Sequence, residues 1–488
     1  MDIRVACGII IGVGFVAVSG MAVPPPGSNA ERVLVRLKEV ADSPNYYWAW
    51  THPWMTVWKR SGDPRFAVKT DSGYEPKPTA DVTLSCEYSK YADGKLCAIG
   101  YSDLYAVAGT WWGDRYYAAN RATLTAAIKR HWHELGGISV FSWHMDHPYC
   151  TNGFEKAAYR FKSSGANRNV IRQILDGTGG PCGMDSVEGK NYRAPFPNPR
   201  AWYMAALKDI ANFFNGLVDE ETGEKIPVVM RYGHEMEGSW FWWGRTWCTP
   251  DEFRAFCRMT ADYLRAACGD KQILFAYTPN RMWQDFGKEG DTENTYPAYY
   301  PGDEYVDIVG IDDYSIARKC DSDAKVEENQ KETIRKLRLI SSFAKERGKV
   351  AALTETGVSS VTSGKRDDFW AHLHSIMTAE GVHCAFVDTW SGHSTIPETP
   401  ESEKDELAFS RRPEVLMAAP GTGFRQPAQS PAAGGDKIDV MVVYYPHWHR
   451  YPKGIEWFGE KWNAGEWAFV KDPKTRFKGQ IKIGRAHV

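Results

Sequence analysis

The chain has 488 residues, enough for one large barrel with an appendage or for two to three average domains. Its 59 basic and 61 acidic residues nearly cancel, so no positive field is available to hold a phosphate backbone or anionic lipid, and nucleic acid is not an expected partner. Twenty Trp, 24 Tyr and 21 Phe supply flat apolar faces that suit stacking on sugar rings, although large cores also use them.

At the N-terminus, Val5 to Val18 is an apolar run behind Arg4, followed by Ser19, Gly20 and Ala22 and then three prolines. That pattern predicts a secretory signal peptide over residues 1–22 and a secreted, periplasmic or cell-surface protein. The run is too short to span a bilayer, and no later stretch approaches 18 apolar residues, so no membrane span is expected. Gly12-Val13-Gly14 imitates a dinucleotide fingerprint but has no strand before it, and no cofactor is expected. Removing residues 1–22 leaves nine cysteines, an odd number, with Cys86 and Cys97 bracketing a short loop that a disulfide could staple. No CxxC pair suggests a zinc ribbon.

Short β-rich runs then alternate with amphipathic stretches, the pattern of parallel βα units. The runs are Asn45 to Trp50, Leu96 to Tyr101, Ile138 to Trp143, Pro227 to Arg231, Ile273 to Thr278, Val306 to Gly310, Val350 to Thr354 and Val382 to Asp388. Helical periodicity is clearest at Arg200 to Leu217, Asp251 to Ala267 and Lys325 to Arg347. Eight such units close naturally into a (β/α)8 TIM barrel over residues 23–415. The long connection from Trp143 to Pro199 is expected to shape a substrate cleft. Beyond Arg412 the pattern dissolves into a linker rich in Ala, Pro and Gly over residues 416–435, with a second, incomplete domain over residues 436–488.

Strand four ends in Arg231-Tyr232-Gly233-His234-Glu235-Met236-Glu237-Gly238-Ser239-Trp240, followed by Phe241, Trp242 and Trp243, and strand seven ends in Leu353-Thr354-Glu355-Thr356-Gly357. Two carboxylates offered from the same face of a barrel fit a retaining glycosidase, in which one acid protonates the leaving oxygen and the other attacks the anomeric carbon. Taken alone, each glutamate would more often be a solvated or paired surface acid. His144, Asp146 and His147 lack a third donor at metal-site spacing, so no metal is expected. Arg231 is expected to orient carboxylates as a buried bidentate donor. Trp242 and Trp243 are as well suited to packing as to sugar stacking.

The two strand-end motifs resemble those of glycoside hydrolase family 26, the β-mannanase family of (β/α)8 retaining enzymes. The resemblance extends in order across roughly residues 40–395. It includes Ser142-Trp143-His144-Met145-Asp146-His147-Pro148, Cys248-Thr249-Pro250-Asp251-Glu252-Phe253 and the segment Tyr300 to Tyr314. It implies Glu235 as acid/base and Glu355 as nucleophile, about 5 to 5.5 Å apart. It further implies His144 beside the cleaved sugar, with His234 as another substrate contact. Asp312 is implied to shape the site and Tyr314 to support the nucleophile, with Trp240 and Trp390 lining the subsite at the cleavage point. The sequence departs from the family at Tyr232-Gly233, where proline and a larger residue are usual.

The resemblance implies an endo-β-1,4-mannanase acting on mannan, glucomannan or galactomannan as a monomer. The alternatives are a β-1,3-xylanase or mixed-linkage β-glucanase of the same family, or a non-catalytic carbohydrate-binding barrel. Residues 436–488, with Val440 to Pro446, His447-Trp448-His449 and Trp457-Phe458-Gly459, resemble the opening of WbsX-like, family 99-like glycan-processing barrels. The last six residues, Ile483 to Val488, equal one translated frame of a common sequencing adapter, so the gene is expected to be truncated here. A cut after about Arg412 is expected to leave activity unchanged.

Overall fold

In the computed structural model the described residues are 27–51, 67–70, 73–76, 89, 91–108, 114–149, 169–183, 196–238, 240–269, 272–281, 295–357, 366–390, 397, 399–418 and 423–425. The signal-peptide segment, Cys86, Cys150 and the whole of residues 436–488 lie outside them. Contacts divide the chain into residues 1–428 and 429–488, and every described residue belongs to the first unit.

Eight parallel strands form the barrel: β1 (Tyr46–Thr51), β2 (Ile99–Asp103), β3 (Ile138–Ser142), β4 (Val228–Arg231), β5 (Ile273–Tyr277), β6 (Ile308–Asp313), β7 (Val350–Thr356) and β8 (Cys384–Thr389). Each pairs with its sequence neighbours, and β8 returns to β1 from Tyr47 opposite Phe386 to Trp50 opposite Thr389, which closes the ring. All eight are buried along their length, because helices cover the outer face and packed side chains fill the inner one. The fold is the expected (β/α)8 TIM barrel.

The helices are α1 (Asn29–Ala41), α2 (Asp114–Leu135), α3 (Val170–Asp176), α4 (Pro199–Asn215), α5 (Pro250–Cys268), α6 (Asp323–Arg347), α7 (Phe369–Met377) and α8 (Pro400–Ser410). Local chemistry sets their starts. Thr249 and Glu252 form a reciprocal capping box ahead of Pro250, while Asn198 caps α4 and Ser322 caps α6. After β5 the described residues hold two 3-10 turns, Tyr296–Tyr299 and Asp303–Tyr305, where a regular unit would place a helix. From the long connection after β3, α3 packs against α4 and α5, and Asn169 at its start donates to Glu252 Oε2 at 2.8 Å.

Two strand ends extend past the expected boundaries. The apolar runs stop near Gly310 and Thr354, yet β6 continues to Asp313 and β7 to Thr356, because inward-facing polar side chains bond one another at the barrel's upper end. The chain also stays on the barrel beyond residue 416, which corrects the expected linker boundary. Strand β9 (Val415–Leu416) pairs with Tyr46 and Tyr47 at the start of β1, and Ala418 N donates to Leu96 O at 2.8 Å. Phe424 is buried with its ring 4.9 Å from that of Tyr47, and its N–H donates to Gly136 O at 2.6 Å. Arg425 Nε meets Asp219 Oδ2 at 2.7 Å. A cut after Arg412 would remove all of these contacts.

Candidate active site

The C-terminal ends of β4, β6 and β7 gather three acids around one buried guanidinium. Arg231, the last residue of β4, is fully buried. Its Nη2 donates to both Asp312 oxygens, at 2.8 and 2.6 Å, its Nη1 donates to Glu355 Oε1, and its Nε donates to Thr278 Oγ1 at 3.2 Å. This is the expected bidentate donor, extended to a second carboxylate. One carboxylate oxygen from each of Glu235, Asp312 and Glu355 lies within 4.8 Å of the other two.

Glu355 is aimed by a bulge. Between β6 and β7 the register passes from Ile311 opposite Leu353 to Asp312 opposite Glu355, which leaves Thr354 as the extra residue. Thr354 Oγ1 then bonds Ile311 O at 3.0 Å and Asp312 Oδ1 at 2.7 Å. Glycine is required across from it, since a Cβ on Gly310 would come 2.5 Å from Thr354 Cγ2. The second oxygen of Glu355 accepts from Tyr314 Oη at 2.7 Å. A neutral hydroxyl and a shared guanidinium thus hold this carboxylate on both oxygens.

Glu235 sits in a different setting. Its Oε1 accepts from Asn280 Nδ2 at 2.9 Å and its Oε2 from Trp240 Nε1 at 2.7 Å, and among the described residues no cation is bonded to either. Burial, then the charge of Glu355, raise its pKa above the ordinary glutamate value, outweighing the two donors and His144. Its backbone is left-handed, with φ of 51° on a non-glycine residue, and Glu235 N is tied to Thr278 O at 3.0 Å. Two residues earlier, Gly233 also has positive φ, 63°, and a Cβ there would lie 2.9 Å from Phe253. The departure from the family at Tyr232-Gly233 therefore has a packing reason.

His144 follows β3 and His234 follows β4, with ring centroids 4.6 Å apart. His234 is buried and its pKa lies well below the usual value, driven by burial and then by the positive His144 and Arg231. Trp390 is half-buried with its ring 5.9 Å from that of His144, and its backbone N–H donates to Thr356 O at 2.8 Å. Trp243 is buried, stacked 4.3 Å from Phe241, and donates to His234 O at 2.9 Å, while Trp242 is buried and donates to Met145 O at 3.1 Å. Those two are packing residues, and half-buried Trp240 is the one of the three turned to the acid. His147 is neutral by burial, with a pKa down to about 4, and its ring lies 6.2 Å from Trp242.

Sequence reading missed Asp103, Asn280 and Asp388. Asp388 is fully buried on β8, accepts from Thr51 Oγ1 at 2.5 Å, and is pushed well above the ordinary range by burial. Asp103 and Asp388 lie at strand ends where alternation alone would have placed them inward, so strand boundaries were the missing signal there, whereas Asn280 lies three residues past the end of β5.

The family model described as Glycosyl hydrolase family 26 matches residues 97–395. The chain belongs to this family. Among relatives, a mannan endo-1,4-beta-mannosidase of Bifidobacterium adolescentis is 31% identical over 216 residues, covering 40% of this chain and 20% of that protein. One from Bacillus subtilis strain 168 is 29% identical over 185 residues, covering 37% and 40%. The matched portion thus spans well under half the length of these curated relatives. Among solved structures, GH26C from Muricauda sp. MAR_2010_75 superposes with a TM-score of 0.61 at 23% identity, over 82% of this chain and 94% of that one. A modular endo-beta-1,4-mannanase from Cellulomonas fimi gives 0.60 at 23%, over 85% and 81%. These two likenesses speak for the fold.

Proposed function

We propose that this family 26 barrel is a retaining endo-β-1,4-mannanase, with Glu355 as nucleophile and Glu235 as acid/base. The observation that carries the reading is the unequal treatment of two carboxylates on one face. Glu355 is bonded by a guanidinium and a phenol, whereas half-buried Glu235 is bonded to no cation among the described residues and is biased towards its protonated form. Their close approach, with the nearest gathered oxygens within 4.8 Å, favours direct attack over an intervening water, which needs about 6.5 to 9.5 Å.

In the first step a Glu355 oxygen bonds to the anomeric carbon as the glycosidic C–O bond breaks, and the Glu235 proton goes to the departing oxygen. In the second, Glu235 takes a proton from water as that water attacks the same carbon and releases Glu355. Two inversions retain the configuration. Trp240 and Asn280 hold the Glu235 carboxyl in place through both proton transfers. Tyr314 holds Glu355 opposite it, and Asp312 fixes Arg231 by a bidentate pair. Half-buried Trp240 and Trp390, with His144 and His234, are assigned to the sugar at the cleavage point. The mannan specificity is supported by the relatives, which are named for β-1,4-mannan cleavage. Export is supported by the apolar run at Val5 to Val18.

Reducing-sugar release should be measured on β-1,4-mannan, glucomannan, galactomannan, β-1,3-xylan and mixed-linkage β-glucan. Cleavage of the mannans with rapid loss of viscosity is expected. Preference for xylan or β-glucan would overturn the substrate, and inertness on all five would overturn the enzyme.

A further inference from the structure

Beneath His144 lies a carboxylate that the two-glutamate mechanism does not use. Asp103 ends β2 and faces Ser142 across the β2–β3 ladder, which brings it under the chain as it leaves β3 towards His144. It is fully buried, and its neighbours supply only donors. Tyr105 N donates to Oδ1 at 2.9 Å and Ser142 Oγ to Oδ2 at 3.0 Å. His144 binds it twice, by its backbone N–H at 3.1 and 3.3 Å and by its ring Nδ1 at 2.5 Å. With Nδ1 so engaged, the remaining ring nitrogen, Nε2, has no protein partner among the described residues, and the side chain is 15% exposed. His234, Phe241 and Trp390 surround the ring at centroid distances of 4.6, 5.4 and 5.9 Å, so it cannot turn without displacing them.

We propose that Asp103 is a positioning residue of this site, clamping His144 by backbone and ring so that Nε2–H stands as a fixed donor and positive charge beside Glu235 and Glu355. The proposal rests on the hydrolase reading of the site. The electrostatics agree with the geometry. Burial alone would lower the pKa of His144, but Asp103, and after it Glu355 and Glu235, raise it above the ordinary histidine value. Asp103 in turn is brought below the usual range, since the His144 charge and its donors outweigh its burial. Among the described residues, the titratable groups that act on His144 are Asp103 from β2, His234 and Glu235 after β4, and Glu355 from β7. Asp146 and His147 follow on its own loop. Of these, His234 and His147 are held neutral by burial, so Asp103 is the partner that sets the charge of His144.

The role has a defined sign in pH. His144 contributes a cationic donor below its folded pKa and loses it as the pH rises through that value, so Asp103→Asn should move the loss to lower pH. Selective 15N-histidine NMR of the full chain, with the ring assigned by His144→Gln, reads this without turnover. The imidazolium should titrate above about 6.5 in the wild type and below about 6.5 in Asp103→Asn. On a mannan substrate, Asp103→Asn should lose about tenfold to a hundredfold in kcat/KM near pH 6, a loss that narrows as the pH rises and the wild type sheds its own His144 charge, while Asp103→Glu keeps the wild-type pH dependence.

Wild-type titration at or below about 6.5, or a loss equal at every pH, would overturn the proposal. If Asp103→Asn does not fold, the wild-type titration and Asp103→Glu decide it. Inertness of the wild type on every mannan would instead overturn the functional reading, and the titration would still judge the dyad.

Discussion

The two ends of the barrel treat buried acids in opposite ways. At the N-terminal end Asp219 is buried, yet Arg425 bonds both its oxygens at 2.7 and 3.3 Å, and Trp132 Nε1 adds a third bond at 2.8 Å. Burial acts upward there, but these donors win and bring Asp219 down to about 2. At the C-terminal end one guanidinium serves Asp312 and Glu355, and among the described residues no cation is bonded to Glu235. Burial and mutual repulsion raise Asp312 and Glu235. The contrast teaches that neither burial nor donor number decides the sign alone: Asp312 accepts from Arg231 and Thr354 much as Asp219 does from Arg425 and Trp132, but burial and the charges of Glu355 and Glu235 outweigh its donors. One end spends its donors on closure, and the other leaves an acid able to hold and release a proton.

The sharpest break is at the upper end. Glu355→Ala should abolish turnover of every substrate. Glu235→Ala should lose about 10² to 10⁴ on polysaccharide but spare the first step on activated aryl glycosides, whose leaving group needs no proton. Because the pKa of Glu235 is raised, wild-type activity should persist to higher pH than an ordinary carboxyl would allow and fall as the pH passes through that raised value. Equal losses on both substrate types would contradict the assigned roles.

Next, Arg231→Met removes the shared cation while leaving two acids buried, and should cost about 3 to 5 kcal/mol of stability at neutral pH, read from chemical denaturation. Less damage at acid pH, where protons replace the cation, would sharpen the comparison.

At the other end, chains ending at residue 412 and at residue 428 should differ by about 3 kcal/mol or more, since the shorter one loses the buried Met417 and Phe424 with strand β9. Equal melting temperatures would show that the closure carries no weight.

The smallest effect is Arg425→Ala. Asp219 contributes stability that is complete above its unfolded value near 3.9 and lost as the pH falls towards about 2, so this variant should unfold at a higher pH on acid titration.

How much of this was legible can be argued from particular residues. The eight strands were legible because parallel strands buried on both faces are written as apolar runs. Glu235, Glu355 and Arg231 were legible because they sit in a motif at strand ends. Asp103 was not, because Tyr101-Ser102-Asp103-Leu104 reads as an ordinary end of a strand, and its partner is supplied from a segment 41 residues away. Asn280 gave no signal either, since its role arises from the left-handed turn at Glu235 bringing a carboxylate to it. The seal at Phe424 and Arg425 was hidden in a stretch whose Pro, Gly and Ala content reads as linker, because two anchoring side chains are too few to make a periodic pattern.

The left-handed backbone at Glu235 places heat resistance and turnover in opposition. A φ of 51° costs a glutamate free energy that glycine would not incur, and the bonds of Glu235 N and its carboxyl keep it there. A glycine at 235 would relieve that cost and remove the acid in one change. Any programme that selects descendants of this chain for thermal endurance alone would therefore be drawn towards sturdier and inert proteins, and must screen for sugar release at every round.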